Sequence, residues 1–172
     1  HLYIEDFDQD RDEQIELSIK NGVHKFFLPA IDKSYTKRML NMKAKYPKNI
    51  FIMSGLHPTH VKQDYKNELK HVEKNLKDGS FCAVGEIGID LYWDKSNLSN
   101  QQEVFNQQIE WANKYDLPIV IHCRDAFDEV FDVLENNKSD KLRGVFHCFT
   151  GSFDQAQRAI DFNMKLGIGG VV

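Results

Sequence analysis

The sequence predicts an α/β fold with parallel strands, and three observations support this. Six short apolar, β-branched or aromatic runs recur along the chain, and polar segments with helical periodicity separate them. Each run follows the last by roughly 20–35 residues, the length of a βα unit. The runs are apolar on both faces, as expected for parallel strands that helices cover on both sides. They are Lys25–Ile31, Asn49–Pro58, Phe81–Asp90, Leu117–Arg124, Gly144–Gly151 and Lys165–Val172.

The segments between the runs carry helix signals. Ser99 with Gln102, and Ser152 with Gln155, match the capping box that opens a helix. Asn21–Gly22 matches a helix end closed by glycine. Apolar residues at helical spacing predict two buried helix faces. These faces hold Tyr35, Met39, Met42 and Tyr46 in the first helix, and Val104, Gln108, Trp111 and Tyr115 in the second.

Two architectures accommodate these units, an open doubly wound sheet and a (β/α)8 barrel. A barrel needs eight strands and about 200 residues or more, whereas this chain offers six runs in 172 residues. The sequence starts at His1 and stops inside the strand-like stretch GIGGVV. If the fold is a barrel, we therefore expect residues 1–172 to form a single domain that lacks its first and last strands.

Bulk composition narrows the class of protein. No apolar run reaches the ~20 residues that cross a bilayer, and no signal peptide is visible. The net charge of −4 disfavours a broad basic surface for nucleic acid, but it is compatible with a nuclease whose cations are bound metals. Three cysteines do not suggest a disulfide framework, so a reducing compartment is expected. We predict a cytoplasmic monomer without a membrane partner; nuclear and secreted locations stay open.

Reactive side chains recur where successive runs end. His57, Glu86, His122 and His147 stand at or near the carboxyl ends of four runs, the edge where parallel α/β folds place their ligands. Any one of these histidines alone fits a structural role. Together, three imidazoles and a carboxylate are costly to bury without a partner, and a divalent cation is the natural one. The sequence therefore predicts a metal site at this edge.

Two His-Cys dipeptides, His122–Cys123 and His147–Cys148, raise the alternatives of thiolate ligands or a cysteine nucleophile. Adjacent residues on a strand point to opposite faces. If each histidine faces the metal, each cysteine faces the surrounding helices as a small apolar residue, provided that the segment keeps strand geometry. Cys82, four residues before Glu86, is expected in the core.

The stretches GLHP, GEIGID, PIVIHCRDA and HCFTGS, in this order, resemble the TatD family of metal-dependent deoxyribonucleases, within the amidohydrolase-type barrels. The resemblance favours the barrel. It implies that Glu86 bridges two divalent ions, with Mg²⁺ favoured and Zn²⁺ or Mn²⁺ as alternatives. It assigns His1 to the first ion and His122 and His147 to the second. A first-strand histidine and a late aspartate of the family pattern have no counterpart in this sequence.

The function implied by the resemblance is hydrolysis of DNA, as a 3'-5' exonuclease with a two-metal mechanism. His57 is expected to contact the scissile phosphate or protonate the leaving oxygen, and Asp90 and Arg124 are further candidates for substrate contact. For Tyr92 and Trp93, stacking on a base and packing in the rim are both open. Alternative functions are hydrolysis of an amide, ester or lactone on the same barrel, or metal binding without catalysis.

Overall fold

Six parallel strands alternate with six α-helices through residues 1–170, the part of the chain that this computed structural model describes. The end of the sixth predicted run, Val171 and Val172, lies outside the described residues. The strands are Phe26–Leu28 (β1), Ile50–Ile52 (β2), Val84–Asp90 (β3), Ile119–Arg124 (β4), Gly144–Phe146 (β5) and Met164–Leu166 (β6). The helices are Arg11–Lys20 (α1), Thr36–Lys45 (α2), Tyr65–Asp78 (α3), Leu98–Tyr115 (α4), Phe127–Asn136 (α5) and Phe153–Asp161 (α6).

All strand pairs are parallel and follow chain order. β1 pairs with β2, and β3, β4, β5 and β6 form a second sheet in that order. The two sheets meet through a bridge between Ser54 and Val84 and a hydrogen bond from the Ala30 N–H to the Gly85 carbonyl. Through residue 170 the strand order does not return to β1, so the sheet is an open part of a barrel wall. The predicted parallel α/β fold is confirmed, with strands shorter than the apolar runs.

The strand β3 is the centre of the core. All seven of its residues are buried, and Ile87 and Ile89 are fully enclosed. Full burial of one such side chain contributes about 1.5–3 kcal/mol to folding. Helix α4 covers this strand. The side-chain amide of Gln101, a residue of α4, accepts a hydrogen bond of 2.8 Å through Oε1 from the Asp90 N–H. The carboxyl end of β3 is therefore held firmly, and the functional side chains lie there.

Helix boundaries test the sequence signals. Ser152 and Gln155 form the predicted capping box at the start of α6. The box predicted from Ser99 and Gln102 is wrong, because the N-cap of α4 is Asn97, two residues before Ser99, and the helix begins at Leu98. Gly22, with a φ of 93°, follows the end of α1 as predicted. No α-helix within residues 1–170 has the length and apolarity that a membrane crossing requires.

Candidate metal centre

Glu86 and His122 meet because two neighbouring strands deliver them to the same edge of the sheet. The ladder pairs Gly85 with Val120 and Ile87 with Ile121, so Glu86 is an extra residue in β3. Such a bulge re-aims a side chain and is common beside functional sites. Here it turns the Glu86 carboxylate towards the imidazole of His122, with 3.1 Å between Oε1 and Nδ1.

Gly88 allows the two strands to approach this closely. It pairs with His122 in the ladder and has a φ of 137°. A Cβ atom at this position would lie 2.0 Å from the carbonyl oxygen of His122. Only glycine combines this backbone conformation with the absence of a side chain, so the position of His122 beside β3 depends on Gly88.

His57 enters the same group from a turn. It caps the short 3₁₀-helix Pro58–His60, and its Nδ1 accepts a hydrogen bond of 3.2 Å from the Thr59 N–H. This contact orients the ring so that Nε2 points inward. Nε2 lies 3.2 Å from His122 Nδ1 and 3.7 Å from Glu86 Oε1.

Three donor atoms thus converge on one point. One atom each from His57, Glu86 and His122 lie within 4.8 Å of one another. Glu86 is 2% exposed, and within residues 1–170 its Oε2 accepts no hydrogen bond, although His1 Nε2 lies 3.4 Å away. A buried carboxylate oxygen without a hydrogen bond is costly. Two imidazoles and a carboxylate form a donor set suited to Zn²⁺ or Mn²⁺, so these residues fit a divalent cation.

Asp90 holds His122 from its far side. Asp90 is 3% exposed, and its Oδ2 lies 2.8 Å from His122 Nε2 while Oδ1 accepts a hydrogen bond of 3.0 Å from the Tyr92 N–H. A carboxylate on the second ring nitrogen is the usual way in which proteins orient a metal-binding histidine. These contacts support an orienting role for Asp90; the substrate contact expected from the sequence stays a prediction.

The electrostatics of the group follow from burial and its three close partners. Burial alone would raise the pKa of Glu86, but the side chains of His1, His122 and His57 outweigh it and hold that pKa well below its usual range. Burial would lower the pKa of His122, but Glu86 and Asp90 outweigh it and raise that pKa. At His57 burial prevails over the attraction of Glu86, so its pKa is lowered. Glu86 is therefore ionised and His57 neutral near pH 7.

The other predicted site residues lie outside this group. His1 faces Glu86 Oε2, on the side of the carboxylate away from His122. His147 is exposed in the turn after β5 and lines a mainly apolar cavity of about 520 Å³ together with Val120 and Val145. Arg124 is exposed at the end of β4, with its guanidinium over the ring of Tyr92. The metal roles of His1 and His147 stay predictions.

The three cysteines lie in different local structures, and the strand pleat fixes the direction of Cys123 but not of Cys148. Cys123 lies within β4 and packs against the main core on the face opposite His122, as the strand pleat predicts. Burial raises the pKa of its thiol to about 12. Cys148 follows the end of β5 and has a φ of 50°, so the pleat does not fix its direction. Cys82 precedes β3 and is half-buried beside Met53 and Val120.

The position of His57 at a strand end placed it among the candidate metal ligands, whereas the family resemblance left it without a metal and implied a contact with substrate. The available signal was GLHP: a histidine followed by proline is placed to cap a short helical turn, and its free nitrogen then points away from that turn. The distance to His122, 65 residues later in the chain, comes only from the fold.

Comparisons with protein families, curated proteins and solved structures all find metal-dependent hydrolases or TatD-related proteins. The family described as TatD related DNase matches residues 1–172. An uncharacterized metal-dependent hydrolase, YabD of Bacillus subtilis, is 33% identical over 172 residues, which cover all of this chain and 67% of that protein. A 3'-5' ssDNA/RNA exonuclease, TatD of Salmonella typhimurium, is 30% identical over 96% of this chain and 64% of its own length. The crystal structure of YJJV, a TatD homologue from Escherichia coli K12, superposes with a TM-score of 0.91 at 30% identity, over 99% of this chain and 66% of that one.

Proposed function

The chain belongs to the TatD related DNase family of metal-dependent hydrolases. From this membership we propose that the protein hydrolyses phosphodiester bonds of DNA, starting from the 3' end. The observation that carries the proposal is that His57 and His122 bring imidazole nitrogens close to the buried carboxylate of Glu86. The name of the Salmonella relative, a 3'-5' exonuclease of single-stranded DNA and RNA, supports the choice of substrate and direction.

We assign a divalent ion to the group of His57, Glu86 and His122. When bound, it would supply Lewis acidity, which makes a water molecule more acidic and offsets negative charge on a phosphate. The donor set favours Zn²⁺ or Mn²⁺ over Mg²⁺, because Mg²⁺ prefers oxygen ligands. Residues of the chain have the remaining roles. Glu86 stays ionised and Asp90 orients His122. The fully buried strand β3 fixes the positions of both carboxylates.

The two oxygens of Glu86 support a second ion. Oε1 faces His122 and His57, whereas Oε2 faces His1. A carboxylate with a different imidazole on each oxygen is suited to bridge two cations. We therefore propose that His1 and Glu86 Oε2 contribute to a second metal position, in line with the two-metal mechanism expected from the sequence.

The contacts of His57 favour a ligand role. Its Nε2 is within 3.7 Å of Glu86 Oε1, and burial lowers its pKa, which disfavours the proton that a general acid must carry near neutral pH. The leaving-group role expected from the sequence makes a different prediction. Loss of His57 would then lower kcat without a change in metal content.

The experiment uses single-stranded and duplex DNA oligonucleotides labelled at either end, with Mg²⁺, Mn²⁺, Zn²⁺ or EDTA. We expect stepwise loss of 3' nucleotides that EDTA abolishes. Glu86→Gln should reduce the rate by about 10²-fold or more, in the range of a lost charge-stabilising group. Glu110→Gln, a change on the exposed face of α4, should retain the wild-type rate.

Three results would overturn the proposal. The first is a Glu86→Gln protein that cleaves DNA at the wild-type rate. The second is an intact protein that leaves DNA and RNA untouched but turns over compounds from a panel of amides, esters and lactones. The third, bound metal without hydrolysis of any compound, would favour the non-catalytic alternative.

A further inference from the structure

Two aromatic rings and a guanidinium stand exposed beside the metal group. Tyr92 and Trp93 lie two and three residues after Asp90, the last residue of β3, and Arg124 is the last residue of β4. Asp90 and Arg124 are partners in the ladder between these strands. We call Tyr92, Trp93 and Arg124 the aromatic ledge. Because parallel strands end at one edge, the ledge lies at the same edge as His122.

The side chains of the ledge are more exposed than aromatic residues usually are. Tyr92 is 53% and Trp93 73% exposed, and their rings meet edge to face at 4.8 Å between centroids. Rings in a structural role would bury these surfaces in the rim. Arg124 covers one face of Tyr92, and the more exposed ring of Trp93 leaves a flat apolar surface open to a planar ligand.

The charge of Arg124 is available to a ligand. Its guanidinium lies 3.7 Å from the centroid of Tyr92 and 5.8 Å from that of Trp93. Among the residues described, no carboxylate lies within 4 Å of it. A stacked guanidinium keeps its N–H donors free at the ring edge, where they can meet a phosphate. The ledge thus offers a base-sized flat surface and an unneutralised cation side by side.

One carboxylate fixes both the ledge and the metal group. Asp90 Oδ1 accepts the hydrogen bond from the Tyr92 N–H, while Oδ2 contacts His122. The Leu91 N–H also donates to the Arg124 carbonyl at 3.0 Å, which ties the end of β3 to the end of β4. The backbone under the ledge is therefore positioned relative to the reacting centre.

We propose that the aromatic ledge is a nucleobase-stacking subsite that holds one splayed base of a single strand while Arg124 contacts a neighbouring phosphate. This inference rests on the proposed function and deepens it. A base inside a duplex is stacked on its neighbours and cannot offer its face, so the ledge selects single-stranded ends. Stacking uses a π-face that every base has, so we expect little sequence preference and no discrimination between DNA and RNA.

The test compares Trp93→Leu with the wild type on a single-stranded oligonucleotide and on a chain of abasic sugar phosphates of equal length. We expect Trp93→Leu to raise KM about tenfold on the oligonucleotide, the loss of one stacked base, with kcat unchanged. KM on the abasic chain should not change. Trp93→Phe should restore most of the affinity, and circular dichroism confirms that each variant is folded.

Arg124 is tested against a matched arginine. Arg143 precedes β5 at the opposite end of the sheet, where it pairs with Asp116. Arg124→Gln should raise KM on both chains and weaken the salt dependence of binding, whereas Arg143→Gln should do neither.

A binding measurement separates this proposal from the proposed function. In a Trp111→Phe protein, Trp93 is the remaining one of the two tryptophans, and octathymidylate should quench its fluorescence even if no DNA is hydrolysed. Absence of hydrolysis with quenching intact would refute the nuclease activity and retain the ledge. An unchanged KM in Trp93→Leu, an equal loss on the abasic chain, or absence of quenching would overturn the ledge; the last would also be the result for a surface that docks another protein.

Discussion

The Nε2 atom of His122 lies 2.8 Å from Oδ2 of Asp90, and this contact leaves Nδ1 of the same ring facing Glu86 and His57. An imidazole turned by its carboxylate partner presents a fixed nitrogen to the cation. The orientation of His122 is therefore built into β3 and β4, whatever ion is bound.

Asp90→Asn should weaken metal binding without unfolding the protein. The amide can retain one of the two contacts of Asp90 but not its charge, and loss of such an orienting partner costs about 10–100-fold in metal affinity. Isothermal titration with Zn²⁺ measures the change. Asp94→Asn is the matched control, because Asp94 is exposed and bonds only to Ser96 among its described neighbours. Equal affinities of wild type and Asp90→Asn would contradict the orienting role.

His57→Ala should remove about as much bound metal as His122→Ala, since each contributes one of the three converging donors. His60→Ala serves as the control: it lies three residues from His57 and half-buried, but it is not part of the group. Metal content after dialysis, measured by atomic emission, gives the result. If His147→Ala loses metal and His57→Ala does not, the ligand set implied by the family resemblance replaces the one proposed from His57, Glu86 and His122.

As the pH is lowered, metal affinity should begin to fall above pH 6.5, the usual histidine pKa. Glu86 and Asp90 raise the pKa of His122 against the effect of burial. A raised pKa means that His122 holds its proton up to a higher pH, and the ion must displace that proton. Below that pKa, affinity should fall about tenfold per pH unit. Titrations between pH 5 and 9 check this, and an onset at or below pH 6.5 would contradict it; Asp90→Asn should shift the onset to lower pH.

Gly88→Ala should destabilise the protein severely. The new methyl group would meet the His122 carbonyl oxygen, and alanine disfavours a φ of 137°. We expect a loss of more than about 3 kcal/mol in the free energy of unfolding, measured by urea denaturation. Gly79→Ala is the control, with a φ of 76° at the end of α3 but no neighbouring heavy atom within 4 Å. Its cost should be about 1–2 kcal/mol. Equal costs would mean that the close approach at Gly88 is not rigid.

The sequence predicted which residues lie at the carboxyl edge of the sheet, but it did not predict all the contacts that they make there. Apolar runs located all six strands, and strand ends placed Glu86 and His122 together. Periodicity is a local property, so it survives without knowledge of the fold. Strand ends also placed His57 among the candidate ligands, but its contact with His122 could not be predicted, because that contact depends on the direction of a capped turn relative to β4.

Where local rules failed, the chain left regular geometry. The pleat argument held for Cys123, which is inside β4, and lost its basis for Cys148, because β5 ends at Phe146 and the backbone turns. Ser99 satisfied the spacing of a capping box, but α4 starts at Leu98. In each case an element boundary shifted by one or two residues, and boundaries depend on tertiary contacts that no short window contains.

The extra residue at Glu86 makes the length of β3 as important as its composition. Beyond the bulge, Gly88 and Asp90 stand opposite His122 and Arg124, while Ile87 and Ile89 point into the core. Loss of one codon between Glu86 and Asp90 would exchange these two sets, placing a carboxylate among the helices and an isoleucine beside the imidazoles. A substitution in this stretch changes one side chain, whereas the deletion of one residue would move several side chains to the wrong face of the sheet.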